Sequence, residues 1–276
     1  MTAAIPAIKL VLYGSHLWYH GCMSRLVNQT VQKIVDTVSQ WDGVDTITLM
    51  EGEADIYNPY FFLSVDVYFR GLLPETETRR DLFSYGSVFE SSAVNRKDRF
   101  LVGEFPVRIE YKDIDRLDAM IHGDLGVATN MADSGTYAFY RLQNCSVIAS
   151  KSEWLTRVRE EIQNLREDFW AVLRVSVQSR MEHFVSDLGA AVMQGDDLFF
   201  LVSAAGFARS LCSLLFAINH EFEPSARYLA EHTQKLPILP GTFRGWFESF
   251  LRRDSSIARE KKFEIAELLA RSVIGL

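Results

Sequence analysis

The sequence predicts an α+β protein, with a mixed α/β domain over residues 1–150 followed by an α-helical bundle over residues 151–276. Three observations predict it. Two hydrophobic runs, 58–71 and 105–112, are rich in aromatic and β-branched residues and read as strands. Helical periodicity comes before and between them. From Ser152 the composition shifts, because residues 152–193 hold no proline and only Gly189, with apolar residues at helical steps. A length of 276 residues suits two domains.

Residues 1–22 read as an extension of unassigned role, with a strand-like stretch at 8–13 and turn-like residues at 14–16 and 20–22. Residues 3–13 are apolar, but they lack a basic flank and are too short to span a bilayer. From Ser24 onward Leu26, Val27, Val31, Ile34, Val35 and Val38 mark one helix face, ending near Trp41-Asp42-Gly43. Residues 44–50 alternate as a strand, and Glu51-Gly52-Glu53-Ala54-Asp55 form an acidic turn before the strand at 60–70. Residues 75–83 are a polar helix, and Tyr85-Gly86-Ser87 a turn. Asn95-Arg96-Lys97-Asp98-Arg99 is a basic cluster ahead of the strand at 105–112. Ile114, Leu117 and Ile121 line a short helix over 113–123; residues 123–135 are loop-rich, and 136–142 suit helix or strand equally.

In the second half, Ser152 is an N-cap for a helix reaching residue 193, expected to bend or divide near Val175-Ser176-Val177. Further helices are expected over 196–219, over 224–234 with proline in the first turn, over 242–252 and over 255–274.

A formal net charge of -7 argues against coating extended nucleic acid, which calls for a basic footprint, but leaves a nucleotide open. Cys22, Cys145 and Cys212 have neither disulfide-framework nor zinc-site spacing, which fits a reducing cytoplasm. The apolar run at 198–218 contains Arg209, which is costly in lipid, so it reads as a buried helix and no membrane association is expected.

Asp66 and Glu110 are the candidate catalytic and metal-binding residues. Each is a carboxylate within an apolar strand, and two such strands side by side would put both acids on one sheet face, where hard oxygens suit a divalent cation. The alternative is that Asp66 accepts local donors and Glu110 pairs with Arg108 or Lys112. Lys97 and Arg99 are candidate phosphate ligands as point charges, and Arg108 as a fork. Their alternative is a salt-bridged loop. Arg209, set in an apolar helix, is expected to be buried against an acid or an anion.

Four segments carry a resemblance: Glu51-Gly52-Glu53; Leu63-Ser64-Val65-Asp66-Val67; Val107-Arg108-Ile109-Glu110-Tyr111; and Arg209 with Ala217-Ile218-Asn219, Pro224 and Arg227-Tyr228-Leu229. Together they resemble the polymerase-β type nucleotidyltransferase superfamily, and more narrowly the group known as DUF4037. The last segment resembles the helical domain of kanamycin nucleotidyltransferase-like enzymes. The resemblance implies a nucleotidyltransferase-like mixed-sheet domain and transfer of a nucleotide from a nucleoside triphosphate to a hydroxyl of a small molecule or protein. It implies Mg²⁺ held by Asp66 and Glu110, with Gly52, Glu53, Ser64, Lys97, Arg99 and Arg108 around the nucleotide. Two positions depart from the pattern. Glu53 stands where serine follows the glycine, and Ser64 stands where the first acid belongs. The alternative is therefore a degenerate fold kept as a ligand-binding or interaction module.

Overall fold

The computed structural model describes residues 22–50, 62–92, 96–122, 131, 134–252 and 257–276. The extension over residues 1–21, the acidic turn and most of the 123–135 loop lie outside the described residues.

Six strands form one mixed sheet: β1 (Val44–Leu49), β2 (Leu63–Phe69), β3 (Ser87–Ser92), β4 (Lys97–Val102), β5 (Phe105–Asp113) and β6 (Ser146–Ser150), in the order β3-β4-β5-β2-β1-β6. Strands β2 and β5 pair in parallel, and the other neighbours are antiparallel. Every residue of β2 is buried, as the unbroken apolar character of a central parallel strand requires.

Side-chain alternation gives the sheet two unlike faces. On one, Val65, Val67, Ile47, Val107 and Ile109 form a core with Ile34, Val35 and Val38 of helix α1 (Cys22–Val38). The other carries Ser64, Asp66 and Tyr68 of β2 with their register partners Arg108, Glu110 and Lys112 of β5. Lys97 and Arg99 of β4 continue this polar face beside Glu110 and Arg108.

Further helices among the described residues are α2 (Thr76–Leu82), α3 (Ile114–His122), α4 (Tyr137–Asn144), α5 (Trp154–Gln163), α6 (Glu167–Gln194), α7 (Asp197–Ile218), α8 (Leu229–Thr233), α9 (Phe243–Leu251) and α10 (Arg259–Ile274). The chain divides into two compact units, one of Met1–His122 with Arg141–Gln163, the other of Gly123–Tyr140 with Asn164–Leu276. The first holds the sheet, and the second is helical, so the protein is α+β with a helical C-terminal region.

Several elements differ from the sequence reading. Asn95 lies outside the described residues, and Lys97, Asp98 and Arg99 of the basic cluster open strand β4 instead of lying in a loop. Its alternation sends Lys97 and Arg99 to the polar face, while Asp98 and Phe100 are buried. Strand β3 carries too few apolar residues to stand out, each of them exposed or half-buried, and β6 is only five residues long. The long helix divides at residues 164–166 and runs unbroken through Val175-Ser176-Val177, where burial of Leu173, Val177 and Met181 outweighs a small β-branched penalty. The helix expected over 224–234 shortens to α8. Asp196 caps α7 by accepting from the Phe199 amide at 2.9 Å, and the Ser152 hydroxyl accepts from the Trp154 amide at 3.1 Å. Helix α7 is long and apolar enough to cross a membrane, with 44% of its most apolar window buried in the protein. Arg209 on it is exposed, contrary to the expected burial.

On the apolar side of the sheet one ion pair is sealed. Asp98 has no exposed surface and accepts from Arg79 Nε at 2.8 Å, from Ser91 Oγ at 2.7 Å and from Tyr111 Oη at 2.7 Å. Arg79 also donates to the Pro74 carbonyl at 2.5 Å. Removing one member of a buried pair leaves the other charge unpaired. Asp98→Ala is therefore expected to lower unfolding free energy by roughly 3–5 kcal/mol, read from the urea midpoint. A loss below about 1 kcal/mol would contradict a sealed pair.

Candidate functional site

The polar face of the sheet gathers charge around Asp66. Its side chain is wholly buried at the middle of β2, where nothing in the local strand can neutralise it. Arg141, on α4, does so from 75 residues away, donating from Nε to Asp66 Oδ2 at 2.7 Å and from Nη2 to Ser64 Oγ at 2.9 Å. Arg141 is itself 2% exposed. Ser64 thus helps to hold the guanidinium, a role a second acid at that position would fill with charge. Asp66 also raises the Tyr68 hydroxyl pKa, after the larger effect of that residue's own burial.

Glu110 lies next to Asp66 in register and faces three cations. Oε1 meets Lys97 Nζ at 3.1 Å and Arg108 Nε at 3.3 Å, while Oε2 accepts from Lys112 Nζ at 3.1 Å. Burial pushes the Glu110 carboxyl up, but Lys112, Arg108, Arg141 and Lys97 together outweigh it and hold the pKa at about 2. Lys112 also lies 3.9 Å from Asp66 Oδ1, so its ammonium stands between the two carboxylates. That oxygen has no hydrogen-bond partner among the described residues. The Arg108 guanidinium lies 4.0 Å from the Phe62 ring centroid, a cation-π contact, and its Nη2 is 3.5 Å from Ser64 Oγ.

The structure therefore brings Asp66, Glu110, Ser64, Lys97 and Arg108 together and adds Arg141, Lys112 and Phe62. Arg99 is exposed and lies in register between Arg108 on β5, a like charge, and Glu90 on β3, an opposite one. Gly52 and Glu53 lie outside the described residues, as do Glu51 and Asp55. Arg141 could have been noticed as a lone cation between Tyr140 and Leu142 in a short amphipathic segment.

Five cations, Lys97, Arg99, Arg108, Lys112 and Arg141, against three carboxylates, Asp66, Glu110 and Glu90, leave the described face net positive. The donor set of the described residues does not suit a divalent metal ion, since the ammonium of Lys112 lies between the two acids and Arg141 neutralises Asp66. Among the described residues no group of three His, Cys, Asp or Glu side chains is placed to hold a metal. Cys145 and Cys212 are buried thiols whose pKa is raised by burial, to about 12 for Cys212, so neither is a ready nucleophile at neutral pH.

No protein-family model matches the chain, and no curated protein matches it. The structure is similar to that of a nucleotidyltransferase-like protein from Exiguobacterium sibiricum 255-15, with a TM-score of 0.49 and 11% sequence identity, over 91% of this chain and 74% of that one.

The cation cluster makes an acid-sensitive contribution to stability. The Glu110 pKa lies below its ordinary value of 4.5, so the stabilisation is complete above that pH and is lost as pH falls toward about 2. The stability gap between the wild type and Glu110→Gln is expected to shrink by on the order of 2 kcal/mol between pH 7 and pH 3, measured by urea unfolding. A gap independent of pH would contradict the ion-paired state of Glu110.

Proposed function

We propose that this chain binds a nucleoside triphosphate through its phosphates, at the polar face formed by Lys97, Arg108, Lys112 and Arg141. The observation that carries the reading is the excess of cations there. Asp66 and Glu110 absorb only part of the positive charge, and Lys97, Arg108 and Lys112 remain about one-fifth exposed at their side chains. Guanidinium groups suit phosphate oxygens as forks and ammonium groups suit them as point charges. The nucleoside part of the reading comes from the resemblance of the Asp66 and Glu110 strands to nucleotidyltransferases.

Within this proposal the face acts as a binding module first. Transfer of a nucleotide is the second reading: Asp66 and Glu110 share one face, as the resemblance implies, although Lys112 and Arg141 already engage them. Retention of label from an α-phosphate-labelled triphosphate on a hydroxyl acceptor would separate transfer from binding alone. The buried thiols of Cys145 and Cys212 accord with a reducing cytoplasm.

Titration calorimetry with ATP, GTP, CTP and UTP tests the binding. At least one nucleotide is expected to bind, and Arg108→Ala is expected to weaken it about tenfold, the scale of one charge-assisted contact. Absence of heat with all four, with and without Mg²⁺, would sink the reading.

A further inference from the structure

We propose that Lys112 is a built-in cation in the place a bridging metal ion would take, so that this face binds polyphosphate without any divalent metal. The inference rests on the phosphate-binding reading and specifies its chemistry. Divalent ions serve phosphate sites by sitting between carboxylates and phosphate oxygens and neutralising both. Here Lys112 Nζ lies 3.1 Å from Glu110 Oε2 and 3.9 Å from Asp66 Oδ1, hydrogen-bonded to the first and in ion-pair range of the second, so an ammonium stands where a bridging ion would.

The rest of the face supports the same division of labour. Asp66 is neutralised by Arg141 at 2.7 Å, and Glu110 by Lys97 at 3.1 Å and Arg108 at 3.3 Å, so neither acid presents an uncompensated charge to attract a metal. An ammonium has three N–H donors. Even with one directed to each carboxylate, Lys112 keeps one for a phosphate oxygen. Its side chain is 20% exposed, enough to be reached from outside. The acids then orient the cations, and the cations hold the ligand. This reverses the roles that the resemblance assigns to Asp66 and Glu110.

The sign of a single substitution separates the two arrangements. If the acids hold a metal, neutralising Glu110 weakens binding; if they only compete with phosphate for the cations, it strengthens binding. Calorimetry on the full chain with ATP and with inorganic tripolyphosphate, in EDTA and in Mg²⁺, reads both effects. Affinity in EDTA is expected to equal or exceed that in Mg²⁺, Glu110→Gln to tighten binding several-fold, and Lys112→Ala to weaken it about tenfold. Should Lys112→Ala fail to fold, the EDTA arm and Glu110→Gln still decide. Binding that requires Mg²⁺, or that weakens in Glu110→Gln, overturns the metal-free site while leaving nucleotide binding in place. No binding of either probe in either buffer removes nucleotide binding as well.

Discussion

Asp66 has no exposed surface, so its charge must be neutralised inside the protein, and the polar half of the sheet is arranged around that requirement. The carboxylate sits in the central strand because the flanking Val65 and Val67 belong to the core on the opposite face. Its partner comes from a distant helix, which places Arg141 beneath the strand and directs a second nitrogen to Ser64. A buried pair of this kind contributes little net stability compared with an apolar pair of the same shape, but it is costly to break. It is therefore a constraint more than a source of stability, and it fixes where a fully buried cation must lie.

The two charge networks of the sheet differ in kind, one closed and the other open. Arg79 and Asp98 form a closed set, with every acceptor oxygen of Asp98 engaged and Arg79 donating to Asp98, Ser91 and a carbonyl. Tyr111 seals it with its hydroxyl, and the Tyr111 pKa is raised, chiefly by burial. The Asp66 and Glu110 set is open. Its cations outnumber its acids, Lys97, Arg108 and Lys112 reach solvent, and Arg99 stands exposed beside Arg108. Excess positive charge on a rigid, half-exposed sheet face costs stability unless an anion compensates it.

Much of this was legible in the sequence, and the limits have physical causes. The β-branched and aromatic character of residues 63–69 and 105–113 marks them as strands, and a period of two correctly puts Asp66 and Glu110 on one face. The same period hid β4. The alternation of Lys97, Asp98, Arg99 and Phe100 looks like a charged turn until Asp98 is seen to have a buried partner in Arg79. Periodicity specifies which face a residue takes, but not which cation crosses the fold to meet it, so Arg141 could not be assigned to Asp66 in advance. Lys112 could be named as a partner of Glu110, because two residues along one strand share a face, yet its approach to Asp66 depends on strand pairing. The break between α5 and α6 at residues 164–166 likewise follows from packing, since Asn164-Leu165-Arg166 contains neither glycine nor proline.

The central claim is that an ammonium, and not a metal ion, stands between Asp66 and Glu110 when the ligand is bound. A crystal structure grown with ATP and Mn²⁺, with anomalous scattering used to locate the metal, tests it most directly. Lys112 Nζ is expected between the two carboxylates and about 2.7–2.9 Å from a phosphate oxygen, with no anomalous peak at that position. A manganese peak about 2.2 Å from oxygens of both Asp66 and Glu110, with Lys112 displaced, would contradict it.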